Sequence, residues 1–367
     1  MRIINIILRI ITGSVFIFSG TVKAIDPLGS AYKFHDYFQA FGIDFLQPFA
    51  LPLAVLLCLA EFIAGFSVLT GIRYREGITA MSLLILFFTP LTFILALTNP
   101  VSDCGCFGDA IHLTNWQTFG KNIILFILVL VLFTSRKSAS EKLTPSKGWM
   151  ISGAAMILFV LFSLYNLRYL PVIDFLPYKT GNNIPDLMKI PDGAPVTRYE
   201  TTFIYEKDGI QKEFTLENYP ASDSSWRFID QKSVIIEKGY EPPVHDFSIV
   251  TSDNSDITEA VLSNRGSTLL LVSRKLDLAK PERLKAGFDL GKQCLSQGID
   301  FYILTASGTS EIQGYDPGLR FCQTDEITLK TMVRSNPGYI LLKNGTIKGK
   351  WSWANIPDKN KISEIIK

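Results

Sequence analysis

The sequence predicts an α-helical membrane bundle followed by an α/β soluble half. Three observations carry this. Long apolar runs are concentrated between Met1 and about Leu170. Basic residues gather in alternate loops between those runs. Beyond Leu170 the apolar positions recur at the short periods of strands and amphipathic helices. Composition agrees: 47% of the 367 residues are hydrophobic, and the mean hydropathy of +0.23 is high for a soluble protein. The net charge of +2, with no basic stripe interleaved with aromatics, argues against nucleic acid as a partner. Five cysteines are too few and too scattered for a disulfide-stapled scaffold.

A membrane helix needs roughly 20 mostly apolar residues. Five segments qualify, at about Ile4–Ile25, Phe49–Thr70, Ile78–Leu97, Trp116–Thr134 and Trp149–Leu167. The first reads as an uncleaved span, because Lys23-Ala24-Ile25-Asp26-Pro27 supplies no small-residue cleavage site. Orientation follows from basic residues in short loops. Arg2 precedes the first span, Arg73 and Arg75 separate the second and third, and Arg136, Lys137, Lys142 and Lys147 separate the fourth and fifth. In the other loops Lys33 is the main basic residue, and Thr98–Asn115 has none. The expectation is a multi-pass inner-membrane protein embedded in the lipid bilayer. Its N-terminus is cytoplasmic, and the 98–115 loop and everything after the fifth span are periplasmic. Trp116 and Trp149 mark span ends, where aromatic belts form.

The domain reading is 1–134 for a four-helix membrane domain and 135–170 for a cytoplasmic loop with the fifth span. Residues 171–240 form a small β-rich segment, and 241–367 an α/β domain. In the β-rich segment, apolar and polar residues alternate from about Thr197 to Lys238 between turn signals such as Lys207-Asp208-Gly209. The last part shows a helical pattern near Asp256–Leu262, a strand at Thr268–Val272, a helix at about Pro281–Gln297 and a strand at Asp300–Thr305. A helix near Glu326–Arg334 follows, then strands Gly338–Leu342 and Thr346–Trp351 around the hairpin signal Asn344-Gly345, and a final helix at Lys359–Ile366. This order resembles a thioredoxin-like fold, with Ser335-Asn336-Pro337 where that family places its cis-proline. The redox members of that family carry a CxxC pair after the first central strand; here the matching stretch is Ser273-Arg274-Lys275-Leu276-Asp277, without cysteine.

The sharpest chemical signal is Asp103-Cys104-Gly105-Cys106-Phe107-Gly108-Asp109. Two thiols one glycine apart can close a strained, easily exchanged disulfide, in a compartment where disulfides persist. Asp103 and Asp109 would oppose thiolate formation, and a protonated His112 would favour it. A structural disulfide and a soft-metal site are the alternatives, the latter short of ligands beyond His112 and His35. Glu61 lies inside the second span, where a carboxylate must be paired or protonated. Arg9 in the first span is a candidate partner by depth, which would make an ion pair that packs the bundle; the alternative is a proton path or a contact to a quinone headgroup. Lys23, after Ser19-Gly20-Thr21-Val22, is a candidate contact for an anionic substrate or quinone oxygen. Lys23, Asp26, His35 and Asp36 form an outer-face polar cluster after the first span, in which His35 and Asp36 read as a solvated loop. Cys58, Cys294 and Cys322 read as core residues.

These features carry a resemblance. Phe18-Ser19-Gly20-Thr21-Val22-Lys23-Ala24-Ile25-Asp26-Pro27, Glu61 and the cysteine motif make residues 1–134 similar to the DoxX-like superfamily, specifically its MauE-type members. The fusion to an outer-face thioredoxin-like domain resembles Bacteroidetes-type chains, and joins two parts that MauE systems, tied to methylamine utilisation, keep separate. The resemblance implies redox-related chemistry in a membrane bundle. The expected function is extracytoplasmic thiol–disulfide redox through Cys104 and Cys106, by disulfide formation or electron transfer to a quinone. Glu61 and Lys23 would serve a bound quinone, and extracytoplasmic thiol proteins would be the partners. The alternative is a non-enzymatic scaffold or maturation factor with a structural disulfide and a docking domain. A transporter is disfavoured, since five spans show no inverted repeat.

Overall fold

The computed structural model describes residues 2–101, 103–136, 143–220, 223–237 and 239–366. Lys137 and Lys142, two of the basic residues used for orientation, lie outside them. Five helices are long and apolar enough to cross a membrane, in register with the five expected spans. Helix α1 (Arg2–Ile25) is followed by α2 (Pro27–Ala40) and a 3-10 turn at Asp44–Phe49. Then come α3 (Ala50–Thr70), α4 (Tyr74–Thr98), α5 (Asn115–Ser135) and α6 (Pro145–Tyr169).

Small residues let α1 and α3 touch along their backbones. A Cβ added at Gly65 would lie 2.7 Å from the Gly13 carbonyl oxygen, and one at Gly20 2.7 Å from that of Cys58. In a bilayer such close approach replaces the hydrophobic drive that helices have in water. The antiparallel register puts Glu61 level with Ser19, about three turns or ~15 Å from Arg9. This overturns the Arg9–Glu61 pairing. Arg9 instead donates from Nε to the Val68 carbonyl at 2.9 Å and lies over the Tyr74 ring, serving the C-terminal turn of α3. Helix α6 joins the bundle through Phe159, stacked on Phe62 at 4.4 Å, and through Asn166, whose side chain donates to the Ala24 carbonyl at 3.1 Å.

His35 and Asp36, expected in a solvated loop, lie on helix α2. Asp26 caps α2, accepting from the Gly29 amide at 2.8 Å, and Pro27 at the first helical position suits that start. Asp26 is buried, while Asp36 is exposed and His35 half-buried.

The unit Asn183–Phe247 stands by itself. It holds a short helix α7 (Ile184–Met188) and strands β1 (Arg198–Lys207), β2 (Ile210–Thr215) and β3 (Arg227–Glu237), paired antiparallel in the order β2-β1-β3. Its aromatic centre is Tyr205, Phe214 and Trp226.

Residues 248–367 belong to the same compact unit as the membrane helices. Their elements are β4 (Val250–Thr251), α8 (Thr258–Leu262), β5 (Ser267–Val272), α9 (Pro281–Ser296), β6 (Asp300–Thr305), α10 (Thr309–Ile312) and β7 (Phe321–Gln323). The segment closes with α11 (Glu326–Met332), β8 (Gly338–Lys343), β9 (Thr346–Ser352) and α12 (Lys359–Ile366). The sheet order is β4-β7-β6-β5-β8-β9, with β5 parallel to β6 and antiparallel to β8. Leu269, Leu271, Phe301, Ile303, Tyr339 and Leu341 fill its core together with Cys294. Cys322 and Cys58 are likewise buried. β4, α10 and β7, each four residues or shorter, escaped the sequence reading. The Asn336–Pro337 peptide is cis.

Arg334 ties this sheet to the bundle. Its Nε donates to Asp26 Oδ2 at 2.6 Å and its Nη2 to Asp109 Oδ2 at 2.8 Å. Arg274 adds a hydrogen bond to the Tyr32 hydroxyl at 3.1 Å. Removing one member of a buried ion pair strands the other charges and costs about 3–5 kcal/mol, whereas exposed pairs contribute about 0–1 kcal/mol. Arg334→Met is therefore expected to lower the thermal stability of the full chain in detergent by that larger amount. Arg320→Met, which breaks the exposed contact to Asp300 at 3.8 Å, is expected to leave it nearly unchanged; equal effects would contradict the clamp.

Candidate functional site

The cysteine loop runs from the end of α4 to the start of α5. Asn99 ends α4 in the left-handed conformation, φ 47°. Asn115 Nδ2 holds the loop base through Asn99 Oδ1 at 2.7 Å and the Val101 carbonyl at 2.9 Å. Thr114 and Gln117 form a reciprocal cap on α5. Within the loop, Gly105 takes φ +64°, a conformation open to glycine at little cost. The turn brings Cys104 Sγ to 3.3 Å from Cys106 Sγ, so closing a bond of about 2.05 Å requires only a small movement.

The loop is fixed to the bundle by its carbonyls. Tyr37 donates to the Cys104 carbonyl at 2.7 Å. The Ser19 hydroxyl lies 2.8 Å from the Cys106 carbonyl and 2.8 Å from Glu61 Oε2, and can donate to either. Glu61 is paired with Lys23, whose Nζ stands 2.7 and 2.9 Å from its two oxygens. Both residues are 6% exposed. The structure thus brings together all four residues singled out from sequence: Cys104, Cys106, Glu61 and Lys23.

The two acids flanking the thiols are neutralised. Lys33 Nζ pairs with Asp103 at 2.9 Å, and Arg334 with Asp109. His112 is 68% exposed with its Nδ1 4.0 Å from Asp103, and it is not among the main charges acting on Cys106. Lys121 of α5 acts there instead; sequence reading missed it. It sits 4.5 Å above the Phe107 ring, near the start of a span, where a lysine reads as an ordinary anchor. The hydrogen bond from Cys104 pulls the Cys106 thiol down to about 6; burial opposes this, and the charges of Lys121 and Lys23 assist it. The same hydrogen bond, with burial, drives the Cys104 thiol up.

A cavity of about 560 Å³ reaches from the loop into the bundle. Cys104, Cys106, Lys23, Glu61 and Lys121 line its polar end; Phe34, Leu57, Phe88 and Leu125 are among its apolar walls. Leu56 on α3 and Leu83 and Phe87 on α4, each at least 60% exposed, also line it, so it opens sideways on the face a bilayer would cover. Among the described residues no group of three or more His, Cys, Asp or Glu gathers as a metal-ligand set.

The lowered Cys106 thiol makes a pH prediction. A thiol that ionises near 6 is already a thiolate at neutral pH, while an ordinary one ionises at about 8.5. In the full chain the rate of Cys106 alkylation by iodoacetamide is expected to rise through about pH 6, and Cys104→Ala to move that midpoint upward. A midpoint at the ordinary thiol value in both proteins would contradict the geometry.

Comparison with known proteins adds three findings. Residues 1–135 match the family model described as methylamine utilisation protein MauE, over the stretch that the sequence features liken to that family. Residues 199–238 match a domain of unknown function, DUF8463. Protein TlpB of Flavobacterium psychrophilum is 27% identical over 138 residues, 37% of this chain and 38% of its own length. The chain therefore spans well under half of that relative. No solved structure matches. Residues 1–135 are similar to MauE, and among the described residues of the chain five helices are long and apolar enough to cross a bilayer.

Proposed function

We propose that the chain is an inner-membrane thiol–disulfide oxidoreductase of the MauE type, with the cysteine loop and the α/β part on the periplasmic side. Cys104 and Cys106 exchange with extracytoplasmic protein thiols and pass electrons to a lipid-soluble quinone in the bundle. The observation that carries this reading is the position of the thiol pair. Two sulfurs 3.3 Å apart line the polar end of an apolar cavity with a lateral opening. A water-soluble acceptor would have no use for such a cavity. A quinone, with an apolar tail and a two-electron ring, has the chemistry to enter from the lipid and meet the sulfurs.

Exchange proceeds by thiolate attack on a disulfide sulfur, and the lower-pKa thiol leaves faster. A partner thiolate attacking the Cys104 sulfur forms a mixed disulfide there and releases Cys106 as thiolate. A second partner thiolate then completes the partner's disulfide and leaves Cys104 and Cys106 as a reduced pair. Oxidation of that pair by the quinone re-forms their disulfide.

We read residues 241–367 as a thioredoxin-like domain that lacks the redox pair. Supporting this are the parallel β5–β6 pair followed by the antiparallel β8–β9 hairpin, the cis peptide before Pro337 and the cysteine-free Ser273–Asp277 stretch. On this reading its role is to hold the loop, through Arg334 and Asp109. That clamp is also the observation behind a second reading, a scaffold with a structural Cys104–Cys106 disulfide.

Trapping separates the two. In Cys106→Ser the lone Cys104 thiolate attacks the disulfide of an oxidised partner, the reverse of the exchange above. Without Cys106 to resolve the product, a mixed disulfide between Cys104 and a periplasmic protein is expected to accumulate, seen as a reducible high-mass band. Failure of Cys106→Ser and Cys104→Ser alike to trap any partner would overturn the redox reading. The scaffold reading instead requires that serine at both positions lowers stability and leaves the cellular phenotype intact.

A further inference from the structure

The Lys23–Glu61 pair is costly to bury in a membrane bundle, and thiol exchange at the outer face does not call for it. Its surroundings do suggest a use. Ser19 stands between Glu61 Oε2 and the loop carbonyl of Cys106, 2.8 Å from each. Lys23 spans both Glu61 oxygens. Both members of the pair line the cavity into which the thiols face. The titratable groups around them are Cys58 on α3 and Cys106 in the loop, with Lys121 on α5 across the same cavity. Lys33 and Tyr37 also line the cavity, but Lys33 is held by Asp103 and Tyr37 by the Cys104 carbonyl. Apart from Ser30, Asn122 and Cys104 the other walls are apolar.

Resting on the quinone reading above, the chemistry needs such a carrier. When a quinone oxidises Cys104 and Cys106, one S–S bond forms, two electrons leave sulfur for the ring, and two O–H bonds form on the ring oxygens. One proton comes from the Cys104 thiol. The other replaces the proton that the Cys106 thiolate has already given to the outer water. We infer that Lys23 and Glu61 form the proton relay of this step. The Lys23 ammonium gives its proton to a ring oxygen as the electrons arrive. The Cys104 proton is released into the cavity that Lys23 and Glu61 line. Glu61 passes a proton back to the resulting amine while Ser19 holds the carboxylate against the loop, and outer water restores the second proton.

The relay role separates from a packing role through Lys23→Arg. Arginine keeps the positive charge and the pair with Glu61, but does not release a proton in a protein. The assay uses the purified full chain in detergent, dithiothreitol as reductant and a short-chain ubiquinone as acceptor. Thiol exchange with glutathione disulfide is measured on the same preparation. Lys23→Arg is expected to lower quinone reduction at least tenfold relative to exchange, and to raise its solvent deuterium isotope effect. The neutral pair Lys23→Met with Glu61→Met is expected to show the same loss. A ratio within twofold of wild type in the arginine variant overturns the relay and leaves the quinone reading standing. A wild-type chain that exchanges thiols and reduces no quinone overturns both.

Discussion

A lysine and a glutamate inside an apolar bundle have to find each other, and much of the membrane half is arranged around that requirement. Either charge alone would carry a cost of several kcal/mol. The pairing of Lys23 with Glu61 fixes which turn of α1 faces which turn of α3, and the close contacts at Gly13, Gly20 and Gly65 make that register possible. Ser19, one turn from Lys23, then presents its hydroxyl to both the carboxylate and the cysteine loop. The thiol pair is thus positioned by a membrane ion pair as well as by its own short loop.

Charge compensation continues outward. Asp103 and Asp109 would raise the thiols if left bare, but Lys33 covers one and Arg334 the other. At Cys106 the Cys104 hydrogen bond and the positive charges of Lys121 and Lys23 outweigh burial and the Glu61 charge, so one sulfur of the pair is acidic and the other is not. Arg334 comes from the segment just before Pro337, far along the chain. On the proposed reading the thioredoxin-like part therefore supplies a charge to the site where its relatives supply cysteines.

The spans were legible because a bilayer demands length and apolarity, which survive in any tertiary setting. The cysteine motif was legible because its residues are adjacent in sequence. Both Lys23 and Glu61 stood out, but their partnership did not. Depth along a helix made Arg9 a candidate partner of Glu61, and only the rotational and axial fit of two helices shows that Lys23 takes that place. Asp26 read only as part of an outer-face polar cluster, because its partner Arg334 lies 308 positions away. Lys121 carried no signal beyond its place near a span end. The regular strands of the α/β part followed from hydrophobic pattern and the Asn344-Gly345 turn, whereas β4 and β7 are two and three residues long and hold only by pairing with each other and with β6.

The redox state of Cys104 and Cys106 in living cells tests the central claim most directly, by differential thiol alkylation with and without a block of respiratory quinol oxidation. A pair that works through quinone is oxidised in respiring cells and accumulates as dithiol when the block removes its acceptor. A pair that stays oxidised under both conditions would contradict the account and make the disulfide structural.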